Sequence, residues 1–176
     1  MGLHQEIIVA KEPKKLDDLF HDTLKDIYFT EKKILLALPK MAKAAQSPQL
    51  KRAFEKHRGE TEVQVRRLEQ VFGIIDRQPK TKTCEAIMGI MKEGQEIMQE
   101  YKGSPAVDAG LLAAAQAVEH YEISRYGTLK TWANELGHPG AVKLLEATLQ
   151  EEKKTDEALT QLAQAAVNQE AQQAAE

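Results

Sequence analysis

The sequence predicts an all-α protein with four long helices and one short one, and three observations carry that reading. Ala, Leu, Glu, Lys and Gln are abundant among its 176 residues while aromatics make up only 5%. Such side chains lose little freedom in a helix. Apolar residues recur at helical spacing along four long stretches. The stretches are separated by Gly, Pro and Ser-Pro signals of helix ends.

The elements follow in order. Pro13 precedes a first helix expected over residues 15–46, which Pro39 should kink or loosen in its final turns. Ser47-Pro48, an N-cap followed by proline at the first helical position, opens a second over 48–72. Gly73 and Pro79 enclose a turn before a short third helix, 83–101. Gly103-Ser104-Pro105 repeats the Ser-Pro start and opens a fourth, 104–136; Gly137-His138-Pro139 closes it and opens a fifth, 139–168. The links at Gln46–Pro48 and Gly137–Pro139 are tight, so each should join antiparallel neighbours. Between the two hairpins lie about thirty residues that carry the short helix. Two hairpins joined by one long crossover is the ferritin-like wiring of an antiparallel four-helix bundle. The expected organisation is a flexible segment over 1–13, the bundle over 14–168 and a fraying tail over 169–176.

The net charge of −3 is spread over interspersed acids and bases, and no long basic tract offers a phosphate-binding stripe. Nucleic acid is therefore not an expected partner. Pairs such as Lys14-Lys15, Arg66-Arg67 and Lys153-Lys154 read as solvated helix surface. The single Cys84 excludes an intrachain disulfide and reads as a small apolar residue of a reducing compartment. The run Ile7-Ile8-Val9 is too short for a signal-peptide core and no stretch approaches a membrane span. A cytoplasmic protein without a membrane partner is expected.

The apolar stripes are each interrupted at mid-height. The first runs Phe20, Leu24, Ile27, then Glu31, then Ile34 and Leu38. The second passes from Leu50 and Phe54 through His57, Glu60 and Gln64 to Leu68 and Val71. The fourth gives way from Leu111, Leu112 and Ala115 to Glu119 and Glu122 before Tyr126 and Leu129. The fifth passes from Leu145 and Leu149 through Glu152 and Asp156 to Leu159. Glu31, Glu60, Glu119 and Glu152 stand about twelve to sixteen residues into their helices, so antiparallel packing would bring them to one level. A lone Glu on such a stripe is ordinarily a boundary residue or a partner of Lys, but the same interruption on four helices is not. Buried carboxylates without compensation are prohibitively costly, and two divalent cations bridged by carboxylates would remove most of that cost. His57, one turn from Glu60, is a ligand or a neighbour of one. Gln64 reads as a hydrogen-bond partner of a ligand, Tyr28 and Tyr126 as packing residues within reach of a carboxylate. His120 and Tyr121 face away. Met88, Met91 and Met98 read as the packing face of the short helix, toward the bundle or a second subunit.

The segments Tyr28-Phe29-Thr30-Glu31-Lys32, Ala53-Phe54-Glu55-Lys56-His57, Val118-Glu119-His120-Tyr121-Glu122-Ile123 and Glu151-Glu152-Lys153-Lys154-Thr155-Asp156 resemble the YciE/YciF family of bacterial ferritin-like stress proteins. The resemblance spans roughly residues 14–168 and implies a five-helix ferritin-like fold, a homodimer and a link to the stress response. It implies no reaction. A more distant likeness to rubrerythrin matches Glu31, Glu60, Glu119, Glu122 and Glu152 to that family's carboxylates. Both of its histidine positions depart: Val63 and Thr155 stand there, with His57 and Asp156 as substitutes nearby.

These readings give a redox-active di-iron or di-manganese protein handling peroxide, oxygen or iron. Its electrons would come from an external donor or from ferrous iron, since no Cys-x-x-Cys module is present. The alternative is a non-catalytic structural or interaction dimer in which metal only braces the bundle. Iron storage in a cage is disfavoured by the lack of a further short helix after residue 168.

Overall fold

A computed structural model of the chain describes residues 13–173. The elements are α1 (Leu16–Ala44), α2 (Pro48–Ile74), α3 (Glu85–Glu100), α4 (Val107–Glu135) and α5 (Pro139–Leu162). A π-helical turn, Ala163–Val167, and the three-residue α6, Asn168–Glu170, extend α5. Among the described residues there is no strand, and no helix is long and apolar enough to cross a membrane. Of the expected flexible ends, residues 1–12 and 174–176 lie outside the described residues.

The helix ends differ from the sequence reading for local reasons. α1 continues through Pro39 to Ala44. α2 passes Gly73, and its stop is made by Asp76 at φ 54°, with Arg77 N–H donating to the Phe72 carbonyl at 2.9 Å. That is the left-handed cap usually given to glycine, here taken by a residue whose short polar side chain tolerates it. At the end of α4 the same motif uses Gly137, φ 74°, with His138 N–H on the Ala133 carbonyl at 2.9 Å. Ser47 caps α2 as expected, accepting from Leu50 N–H at 3.4 Å. Ser104 does not open α4: its hydroxyl accepts from Ala106 N–H at 3.0 Å inside a turn, and the helix begins at Val107.

α1 packs on α2, α2 on α5, α5 on α4 and α4 on α1, which closes a ring, while α3 lies on α4 and touches α1 lightly. The interior holds two apolar clusters. One contains Phe20, Leu24, Leu68, Phe72, Leu129 and Leu145; the other contains Ile34, Leu38, Leu50, Phe54, Leu111 and Leu159. Going along the chain, α1 and α5 pass from the first cluster to the second, whereas α2 and α4 pass from the second to the first. Each tight link therefore joins helices of opposite direction, and the polar interruptions of all four stripes fall between the clusters.

Polar contacts tie the stretch between α2 and α4, and the start of α4, to the other helices. Cys84, buried at the start of α3, has Sγ 2.8 Å from the Tyr121 hydroxyl of α4. Asp108, buried in the first turn of α4, accepts from Gln46 N–H at 2.7 Å and Ser47 N–H at 2.6 Å, which fastens the α1–α2 link to that end of the ring. Asp108→Ala leaves both amides without their acceptor, so urea unfolding should show a loss of about 2 kcal/mol. Asp108→Asn, which keeps one acceptor oxygen, should lose less. An unchanged midpoint for the alanine variant would show that the link is held elsewhere.

Candidate metal centre

Each side chain between the clusters is placed by helical spacing. Glu31 comes from α1; His57, Glu60 and Gln64 from α2; Glu119, Glu122 and Tyr126 from α4; and Glu152 from α5. Positions three, four and seven apart share a helix face, so the α2 and α4 sets point the same way as the Leu and Phe residues above and below them. Glu31, Glu122 and Glu152 are fully buried, Glu119 is 1% exposed and His57 5%.

His57, Glu119, Glu122 and Glu152 each offer one ligand atom, and these atoms lie within 4.8 Å of one another. His57 Nε2 is 3.2 Å from Glu119 Oε1 and its Nδ1 is 3.9 Å from Glu60 Oε2, so the ring stands between two carboxylates. Neither nitrogen makes an aligned hydrogen bond. Glu31 joins the group from the side, accepting from the Tyr126 hydroxyl. Glu60 is at the margin: its side chain is 27% exposed and one oxygen pairs with Lys56.

The hydrogen-bond accounting is the decisive observation. Buried side-chain nitrogen and oxygen atoms are almost always paired in native proteins. Here the described residues leave unpaired atoms on Glu31, His57, Glu60, Gln64, Glu119, Glu122 and Glu152, and outside this layer only on Asp26. Both oxygens of Glu122 and both of Glu152 are without a partner. Such a set of oxygen donors and one imidazole suits a divalent cation, which takes up lone pairs that no donor in the protein reaches.

The electrostatics agree. Burial, reinforced by Glu152, raises the Glu31 and Glu119 carboxyls well above the ordinary carboxylate range. Burial and the neighbouring Glu31 do the same for Glu122, and burial raises Glu152. Glu60 goes the other way, held low by His57 and then by Lys56. Burial also raises the Tyr126 hydroxyl, which keeps it a hydrogen-bond donor to Glu31.

Of the sequence-derived candidates, the structure brings Glu31, His57, Glu119, Glu122 and Glu152 together, with Glu60 on the rim. Asp156 is turned aside: its Oδ1 accepts from Gln116 Nε2 at 3.0 Å and lies 3.2 Å from the exposed His120 Nε2. Gln64 is fully buried, donates to Glu151 at 3.2 Å and leaves its Oε1 free in the layer. One reading needs correction. Arg67, expected on solvated surface, instead grips Glu151 with two nitrogens at 2.6 and 2.8 Å and reaches Thr148 at 3.3 Å. This bidentate pair joins α2 to α5 beside Glu152. Its only sequence signal was an Arg one turn from the stripe, which any amphipathic helix shows.

Residues 15–172 match the family described as "Domain of unknown function (DUF892)". The chain is 42% identical over 160 residues to Protein YciF of Escherichia coli (strain K12), covering 90% of this chain and 96% of that one. The crystal structure of the E. coli stress protein YciF superposes with a TM-score of 0.84 at 43% identity, covering 89% of this chain and 99% of that one. YcfI from Rhodopseudomonas palustris gives 0.82 at 41% identity, over 87% of this chain and 98% of that one.

A raised carboxyl pKa has a definite consequence for stability. A carboxyl whose pKa is higher in the folded chain stabilises the fold while protonated. That contribution is complete below the ordinary carboxylate pKa and is lost as pH rises through the raised value. Chelator-treated protein should therefore lose melting temperature between about pH 5 and pH 8, by roughly 4 °C or more. Asp22, which Lys25 and Lys14 hold below the ordinary range, and Glu60 act in the opposite sense, losing their contribution on acidification. A melting profile that is flat or rises to pH 8 would show that the four buried carboxyls ionise without cost.

Proposed function

The chain belongs to the DUF892 family, and on that footing we propose that it is a ferritin-like bundle built to hold two divalent cations, iron or manganese, between its apolar clusters. In this reading α1–α2 and α4–α5 are the two hairpins, and the stretch carrying α3 is the crossover. His57, Glu119, Glu122 and Glu152 are the nearest ligands, with Glu31 and Glu60 completing the set from either side. Asp156, turned toward Gln116 and His120, would reach the centre only by changing its partners. The observation that carries the proposal is the concentration of unpaired buried polar atoms in this one layer.

The protein's own contribution is positional. Tyr126 holds Glu31 by its hydroxyl, and two apolar clusters keep water from entering along the bundle axis. The Arg67–Glu151 pair fixes α2 against α5 beside Glu152. Gln64 Oε1 is left to accept from a water at the centre. An iron centre would supply electrons for the reduction of oxygen or peroxide. Because E. coli YciF is a stress protein, we extend the same association to this chain, as a cytoplasmic homodimer. If metal only braces the fold, the chain is instead a structural dimer.

Metal binding to the folded chain alone should raise the melting temperature by roughly 5–10 °C at a hundredfold excess over the dissociation constant. Glu122→Gln should remove most of that rise. In chelator-treated protein at about pH 8 the same variant should melt higher than the unsubstituted chain, because it deletes one member of a mutually repelling set. If Glu122→Gln lowers stability without metal and leaves the metal-dependent rise intact, the assignment fails. Anaerobically Fe(II)-loaded protein separates the two roles. Peroxide consumption above that of free iron supports the redox reading, and a stability gain without turnover supports the brace.

A further inference from the structure

A cavity of about 580 Å³ opens between α1 and α3 and runs inward to the metal layer. Its walls are apolar and adaptable: Ile34, Met41, Phe54, Met91, Met98 and Val118 line it. His57 and Glu119, both more than nine-tenths buried, line it as well and form its inner end. Among the charged residues lining it, Lys33 is half-buried and Lys40, Lys92 and Glu85 are exposed. Exposed side chains that line a cavity stand at its mouth, so the mouth carries Lys40 and Lys92 against Glu85, with Lys33 just inside it; Lys92 also lies 3.7 Å from Glu96. This space is as large as the pockets that enclose drug-sized molecules. Unbranched Met side chains suit a ligand of variable shape. A flat protein face would cover the mouth, where Leu36 and Met88 are exposed, without reaching His57. A narrow chain can fill the depth.

We propose that this cavity binds a free single-chain amphiphile with an anionic head, its head among Lys33, Lys40 and Lys92 and its hydrocarbon tail directed toward His57 and Glu119. The nearness of the tail to a cation rests on the metal reading given above; binding itself does not. It deepens that reading by giving the centre a hydrocarbon-bearing ligand.

Calorimetric titration of the chelator-treated protein with sodium dodecanoate, below its micelle concentration, tests the proposal. One dodecanoate should bind per chain, and dodecyltrimethylammonium, with the same tail and opposite head, should bind about tenfold more weakly or not at all. Two wall positions permit a plug. A Cβ at Gly89 would meet nothing within 4 Å, and Ala53 lines the opposite wall on α2. The double variant Ala53→Leu, Gly89→Leu should weaken dodecanoate by about tenfold or more. Replacing a helical glycine offsets part of any strain. If that variant does not fold, Lys33→Glu, Lys40→Glu decides, and it should lose the preference for the anion. Absence of binding to the unsubstituted chain, or binding unchanged in a folded plug or charge variant, overturns the proposal. In Mn(II)-loaded protein the terminal methyl resonance should broaden more than that of the methylene next to the carboxylate. If calorimetry shows binding but no manganese is retained, the metal reading fails and the cavity assignment stands. The reverse broadening pattern overturns the orientation.

Discussion

The structure depends on one constraint: four carboxyls and an imidazole share a buried layer with almost no hydrogen-bond donors. Two apolar clusters, one on each side, bound the layer along the bundle axis. They also fix the heights of the four long helices, since each must place its polar turn between the same two clusters. Shifting any one helix by a turn would put a carboxyl among leucines and a leucine among carboxyls. The layer therefore works as a register key, in the sense that buried polar groups specify one arrangement at some cost in stability.

Much of the fold was legible because that key is written in the stripes themselves. The interruptions at Glu31, His57, Glu119 with Glu122, and Glu152 all fall between the structure's apolar clusters, and 3.6-residue periodicity suffices to find them. The layer's lack of donors was not legible, because it is a property of what surrounds the group. No single helix shows that Glu122 faces Glu31, Glu119 and Glu152 with neither oxygen paired. Tyr126, within reach of a carboxylate by its spacing, donates its hydroxyl to Glu31, but its spacing does not say which carboxylate it serves.

The misplaced details share a cause. Asp76 ends α2 because the chain there needs a left-handed residue, and Gly73, the obvious candidate, sits inside the helix. Ser104-Pro105 has the local form of a helix start, yet Tyr101, Ser104 and Val107 close a turn first. Arg67 and Asp156 each stand on the shoulder of a stripe, where a shift of one residue separates solvent from interior. Their orientation is decided by partners on other helices, Glu151 for one and Gln116 with His120 for the other. Patterns along one helix resolve which face is buried but not how its edges pair across the bundle.

The chemistry of the layer limits what it can do. With one imidazole and mainly carboxylate oxygens, it favours hard cations and holds late transition metals less firmly than a histidine-rich site would. If the layer holds metal as proposed, weaker retention would suit a centre that exchanges its metal with the surroundings more readily than one that keeps a cofactor for life. The cavity at His57 and Glu119 makes this side of the layer the approachable one, while Tyr126 and Glu31 close the other beneath Phe72 and Leu129. The asymmetry matters: a ligand or oxidant entering by the cavity meets His57 and Glu119 first. Glu31, Glu122 and Glu152 remain behind them, fully buried.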